Sequence, residues 1–110
     1  MLIRAKWIQN TRVLLLSGRF DKSARVPMDT ALAAGEGRFC QKVILDFTTV
    51  SSMDSAGIGK LLLLYYSLRK KGVSLVIHNP RPNVEELLQF VNFPTLIPVT
   101  HAHVEVRSVA

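Results

Sequence analysis

The chain has 110 residues, 48% of them hydrophobic, and a formal net charge of +6. This length suits one domain over residues 1–110, and the apolar fraction supplies one sizeable core, which excludes a disordered polypeptide. The lone Cys40 cannot form an internal disulfide and fits a reducing, cytoplasmic compartment. The positive charge raises nucleic acid as a partner. However, only Arg69-Lys70-Lys71 is contiguous, no stacking aromatics are interleaved with the basic residues, and the run falls where a helix should end. No direct nucleic-acid contact is expected.

Neither export nor membrane insertion is expected from the visible signals. The start, MLIRAKWIQN, is too short and polar for a signal peptide, and the apolar run Leu61 to Tyr66 is far below the roughly 20 residues of a spanning helix.

In chain order, Leu2 to Ile8 and Arg12 to Ser17 predict two strands joined as a hairpin around Gln9-Asn10-Thr11, with Gly18 ending the second. Pro27 to Ala34 carries helix signals, with Pro near its start, Asp29 in its first turn and Gly35 just after it. The near-continuous apolar run Lys42 to Phe47 suits a central strand. A long helix is expected from about Ala56 to Lys71, with Ile58, Leu61, Leu62, Tyr65 and Leu68 on one face and Gly72 closing it. Val73 to Ile77 is a further buried strand. After Asn79-Pro80-Arg81-Pro82 a third helix places Val84, Leu87, Leu88 and Val91 on one side. Its start could be capped by an Asn83/Glu86 capping box or by Arg81, with Pro82 first in the helix. Leu96 to Val99 reads as a short last strand, and residues 101–110 fit either a helix or a strand. The order is β-β-α-β-α-β-α-β, an α/β fold whose mixed sheet of four to five strands is covered by helices.

The most informative stretch is Val43 to Gly59, VILDFTTVSSMDSAGIG, in which a buried strand leads through a turn into the long helix. Asp54 or Ser55 is suited to cap that helix. Gly57 and Gly59 cost helix stability, and their place in its first turn points to close backbone approach. A serine at a helix start can also carry a phosphate without melting the helix, because the dipole favours negative charge there.

The run Met53-Asp54-Ser55-Ala56-Gly57-Ile58-Gly59 resembles the D-S-[ST]-G-[LI]-G signature of STAS domains, in particular the bacterial anti-sigma factor antagonists. Gly18-Arg19-Phe20-Asp21 is similar to the G-x-[LIF]-D that follows the family's second strand. Val43 to Asp46, Leu68 to Asn79 and Val84 to Phe93 follow its strand and helix pattern, so the likeness reaches about Val99. Ala56 stands where the family carries a second Ser or Thr, the helix before Gly35 is shorter than the family's, and the tail lacks a clear closing helix.

The resemblance implies a protein-binding switch with no catalytic residues and no cofactor. Ser55 would be phosphorylated by a serine kinase that is itself the anti-sigma factor. The unphosphorylated form would bind that kinase and free a sigma factor, and a serine phosphatase would reset the switch. Asp21, Met53, Asp54, Ser55, Ala56, Gly57 and Ile58 would form the partner-binding surface. An alternative is a STAS subunit clamping a membrane transporter of the lipid-transport type, which the segment Phe93-Pro94-Thr95-Leu96-Ile97-Pro98 also resembles.

The remaining residues carry weaker signals. His101 and His103 would share one face of a strand, but no third ligand is evident, so no metal is expected. No Ser/His/Asp order, Walker loop or dinucleotide glycine pattern is present. Trp7 suits the core or a sheet edge. Leu63 and Tyr66 lie off the apolar stripe, on a second packing surface or a partner interface.

Overall fold

The hairpin sets the edge of the sheet. In the computed structural model, which describes residues 1–102, strands β1 (Leu2–Ile8) and β2 (Thr11–Phe20) pair antiparallel, with Ile8 opposite Thr11 and Leu2 opposite Ser17. Strand β3 (Lys42–Met53) runs parallel to β2, β4 (Ser74–His78) parallel to β3, and β5 (Val99–Thr100) parallel to β4. The sheet order is therefore β1-β2-β3-β4-β5. Helices α1 (Arg25–Ala33), α2 (Ser55–Lys70) and α3 (Pro82–Phe90) occupy the three parallel crossovers.

Because each crossover steps the same way along the sheet and such connections are right-handed, all three helices fall on one face. Strand side chains alternate accordingly. Leu14, Leu16, Val43, Leu45, Phe47, Leu75 and Ile77 are buried in one core with Met28, Leu61, Leu64, Leu68, Val84 and Leu88 of the helices. On the other face Leu15, Ile44, Asp46, Val76 and His78 are only half-buried. The mixed α/β fold agrees with the expectation. Among the described residues no helix is long and apolar enough to cross a membrane.

Several boundaries differ from the sequence reading, each for a local reason. Gly18 does not end β2. Its φ of 102° accompanies a register shift, and pairing resumes to Phe20. The central strand does not stop at Phe47 but continues to Met53, because the prolonged β2 still pairs with it, Ser17 opposite Thr49 and Phe20 opposite Met53. Side chains hold this polar overhang: Thr49 Oγ1 donates to the Leu16 carbonyl (2.7 Å), and Arg81 Nε and Asn83 Nδ2 donate to the carbonyls of Thr48 and Ser51 (3.1 and 3.0 Å).

Helix α1 starts at Arg25, after a 3-10 turn over Lys22–Ala24, so Pro27 sits inside the first turn, where the missing N–H has no intrahelical partner to lose. Helix α3 takes the second of its two expected starts, with Arg81 as cap and Pro82 first. The last strand is shorter and later than Leu96 to Val99. Phe93–Thr95 form a 3-10 turn, Phe93 and Ile97 are buried, and Pro98 supplies no N–H donor.

The apolar face of α2 is rotated from the expected stripe. The buried line is Gly57, Leu61, Leu64 and Leu68, while Ile58, Leu62 and Tyr65 flank it half-buried. Four consecutive leucines, Leu61 to Leu64, conceal the phase of the helix in the sequence.

Candidate functional site

The register of β2 and β3 builds the site. Phe20 pairs with Met53, so the residues that follow, Asp21 and Asp54, leave the sheet side by side. Each then starts a helical segment. Asp54 is the N-cap of α2, extended at φ −126°, and its Oδ1 accepts from the Gly57 N–H at 3.0 Å. Asp21 caps the 3-10 turn, its Oδ1 accepting from the Ser23 N–H at 2.9 Å and from the Ser23 hydroxyl. Those two hydrogen bonds, the hydroxyl first, together with the Arg19 guanidinium, hold the Asp21 carboxyl below the usual aspartate value of 3.8.

The capping role thus belongs to Asp54 and not to Ser55. Ser55 is the first residue of α2, exposed, and Ala56 beside it is exposed as well. Gly57 is buried. A Cβ there would collide with the Phe20 carbonyl oxygen and stand 2.8 Å from both Phe20 Cδ1 and Met53 Cγ, so the close approach expected of the glycines is real at this position. Gly59 differs: it is exposed, and a Cβ would meet nothing within 4 Å. Met53 and Ile58 are half-buried on the core.

Along the outer side of α2 the exposed residues Ala56, Gly59, Leu63 and Tyr66 follow one another at helical spacing, leading away from Ser55. Leu63 is 69% exposed and Tyr66 50%, so the second packing surface weighed for them is not formed among the described residues. Lys60 reaches across from this helix to pair with Asp29 of α1. Ser23 and Lys60 were not singled out in the sequence. A serine two residues after an aspartate at a strand end is the one local cue that marks the first of them.

The other candidates are placed elsewhere. His78 Nδ1 contacts Thr100 Oγ1 at 2.7 Å and His101 Nε2 contacts Glu85 Oε2 at 2.8 Å, while His103 lies outside the described residues. Among the described residues no three His, Cys, Asp or Glu side chains converge as a metal site. Arg69 and Lys70 occupy the last turn of α2, where the dipole favours cations, and Arg69 Nη1 donates to the Tyr65 hydroxyl at 2.9 Å.

A mixed five-stranded sheet with its helices on one face, and an aspartate-capped helix beside the β2 and β3 ends, define the STAS class of α/β domain. The chain belongs to the STAS domain family, whose model matches residues 4–106. It is 25% identical over 95 residues to BtrV of Bordetella bronchiseptica, named as a candidate anti-sigma factor antagonist, covering 86% of this chain and 82% of that one. It is 39% identical over 57 residues to sulfate transporter 1.3 of Arabidopsis thaliana, a match that covers 52% of this chain but only 9% of the transporter. The fold superposes on the anti-sigma factor antagonist SpoIIAA of Bacillus in its unphosphorylated form with a TM-score of 0.71, at 23% identity and covering 98% of this chain and 93% of that one. The phosphorylated form of SpoIIAA gives a TM-score of 0.65 at the same identity, covering 99% and 100%.

Proposed function

We propose that the chain is an anti-sigma factor antagonist whose binding to an anti-sigma factor serine kinase is switched off by phosphorylation of Ser55. The observation that carries this reading is the division of roles at the start of α2. Asp54 satisfies the Gly57 N–H, which leaves the Ser55 hydroxyl exposed and outside the cap. Family membership and the similarity to BtrV over most of both chains support the antagonist role. SpoIIAA, of the same fold, has a phosphorylated and an unphosphorylated form.

The physical chemistry of the switch follows from the surroundings. A phosphate on Ser55 adds roughly −1.5 to −2 charges. At the first turn of a helix that charge is favoured by the dipole, so the fold persists. Toward a partner the effect is opposite. The surface beside Ser55 is Ala56, then Gly59, Leu63 and Tyr66, and a doubly charged group there must be desolvated when a partner covers it. Asp21, Asp54, Met53 and Ile58 complete the contact region, and Gly57 shapes it from beneath by letting α2 approach Phe20. The domain binds and has no turnover of its own, and a serine phosphatase restores the binding form.

The test is a pair of variants. Ser55→Ala should take up no phosphate from the kinase and ATP and keep its affinity. Ser55→Asp should keep its melting temperature and bind the kinase at least tenfold more weakly. Phosphate found by mass spectrometry on Thr48, Thr49, Ser51 or Ser52 with Ser55 bare would sink the assignment, and so would unchanged affinity of Ser55→Asp.

The sulfate transporter similarity supports a second reading, a regulatory STAS unit serving a membrane transporter. The same variants separate the two, since a constitutive clamp holds its partner whatever stands at position 55.

A further inference from the structure

At the opposite end of α2 from Ser55, roughly 18 Å away by the helical rise to Ser67, the chain holds a cavity of about 420 Å³ that the switch does not use. It opens between α2, the segment from Gly35 to Cys40 and the N-terminal ends of β2 and β3, with Val73 just ahead of β4. Arg12 lines it and is only 9% exposed. A buried arginine ordinarily faces a carboxylate. Here Nη2 donates to the Ala31 carbonyl at 3.1 Å, and among the described residues the buried Nε has no hydrogen-bond partner and no ion pair includes this side chain.

The surroundings hold the guanidinium in place without neutralising it. Its carbon lies 5.1 Å from the centre of the Trp7 ring, and Arg38, tied to the Gln9 carbonyl at 3.0 Å, stacks on the same ring at 4.2 Å. Gly35 sits against this stack: a Cβ there would crowd the Arg12 guanidinium at 3.3 Å and make ordinary contact with Trp7 at 3.5 Å. Lys71 adds a third cation to the lining against one acid, Glu36, while Val43, Leu64 and Leu68 supply an apolar wall.

We infer that this cavity is a binding site for a small amphiphilic carboxylate, with its head on Arg12 and its aliphatic body along Leu64 and Leu68. A buried cation with no counter-ion among the described residues calls for an anion, and the apolar wall calls for a body that water solvates poorly. A nucleotide fits less well, because both guanidiniums already lie against Trp7, which leaves a base only the largely exposed Phe39 at the rim. The site is independent of the Ser55 reading.

The chain carries its own reporters, because its single tryptophan and single cysteine, Trp7 and Cys40, both line the cavity. Titration of the intact protein with sodium octanoate should change Trp7 fluorescence with one-site saturation and slow alkylation of Cys40 by iodoacetamide. Octan-1-ol and acetate, which carry the body or the head alone, should each bind at least tenfold more weakly. Arg12→Gln should lose at least tenfold in octanoate affinity. Should that variant not fold, Ser67→Phe, which fills the cavity from an exposed position on α2, should abolish the Cys40 protection. Equal affinity for octanol and octanoate, tighter binding of GTP than of octanoate, or no saturable change at all would each overturn the inference.

Discussion

Gly57 of α2 rests directly on Phe20 of β2, so closely that a Cβ at position 57 would collide with the Phe20 backbone oxygen and come within 2.8 Å of its ring. Two glycines two residues apart therefore have opposite physical meanings. Gly57→Ala should lower stability by about 1–3 kcal/mol through overpacking against backbone that cannot move aside. Gly59→Ala, with open space around it, should raise stability by roughly 0.5–1 kcal/mol through helix propensity. If Gly59 keeps the proposed partner surface flat, the same change should weaken binding of the proposed kinase partner. Thermal denaturation and an affinity measurement on each variant check both signs.

Asp54 and Ser55 divide along the same line. Asp54→Ala removes the acceptor of the Gly57 N–H and should cost about 0.5–2 kcal/mol. Ser55→Ala should leave the urea midpoint unchanged within error. A loss at Ser55 comparable to that at Asp54 would mean that the cap is shared.

The core prediction follows the rotated face of α2. Leu64→Ala, at a 5% exposed position in the core cluster, should cost about 2–5 kcal/mol. Leu62→Ala, half-buried on the flank, should cost clearly less, and Leu63→Ala should stay within about 0.5 kcal/mol. Chemical denaturation of the three variants orders them. Leu62 exceeding Leu64 would place the helix in the register expected from the sequence.

Asp21 gives the chain a pH dependence of known sign. Its carboxyl is held below 3.8 by Ser23 and Arg19, so its stabilising effect is complete above the unfolded value and fades as pH falls through the lower folded one. The melting temperature of the parent should exceed that of Asp21→Asn near neutral pH, and the gap should close below about pH 4. A gap that widens on acidification would contradict the assignment.

The order of elements, the family and the helix start at Asp54-Ser55 are legible from the amino-acid sequence. Each of these is local: apolar periodicity, capping residues and a seven-residue motif are written along the chain. The tertiary structure alone decided which residue caps the helix, since Asp54 and Ser55 are equally suited until one of them reaches the Gly57 N–H. It also decided that β3 runs on to Met53, because the polar run Thr48 to Ser52 is held by β2 and by Arg81 and Asn83, which are remote in sequence. The phase of α2 depended on it too, because a block of four leucines offers no contrast from which a face can be read. Least legible was the pairing of Arg12 with Trp7, Arg38 and Gly35. Trp7 faces Arg12 across the hairpin turn, a local relationship, but the segment after α1 that brings Gly35 and Arg38 onto that pair is remote in sequence, and no spacing encodes its arrival.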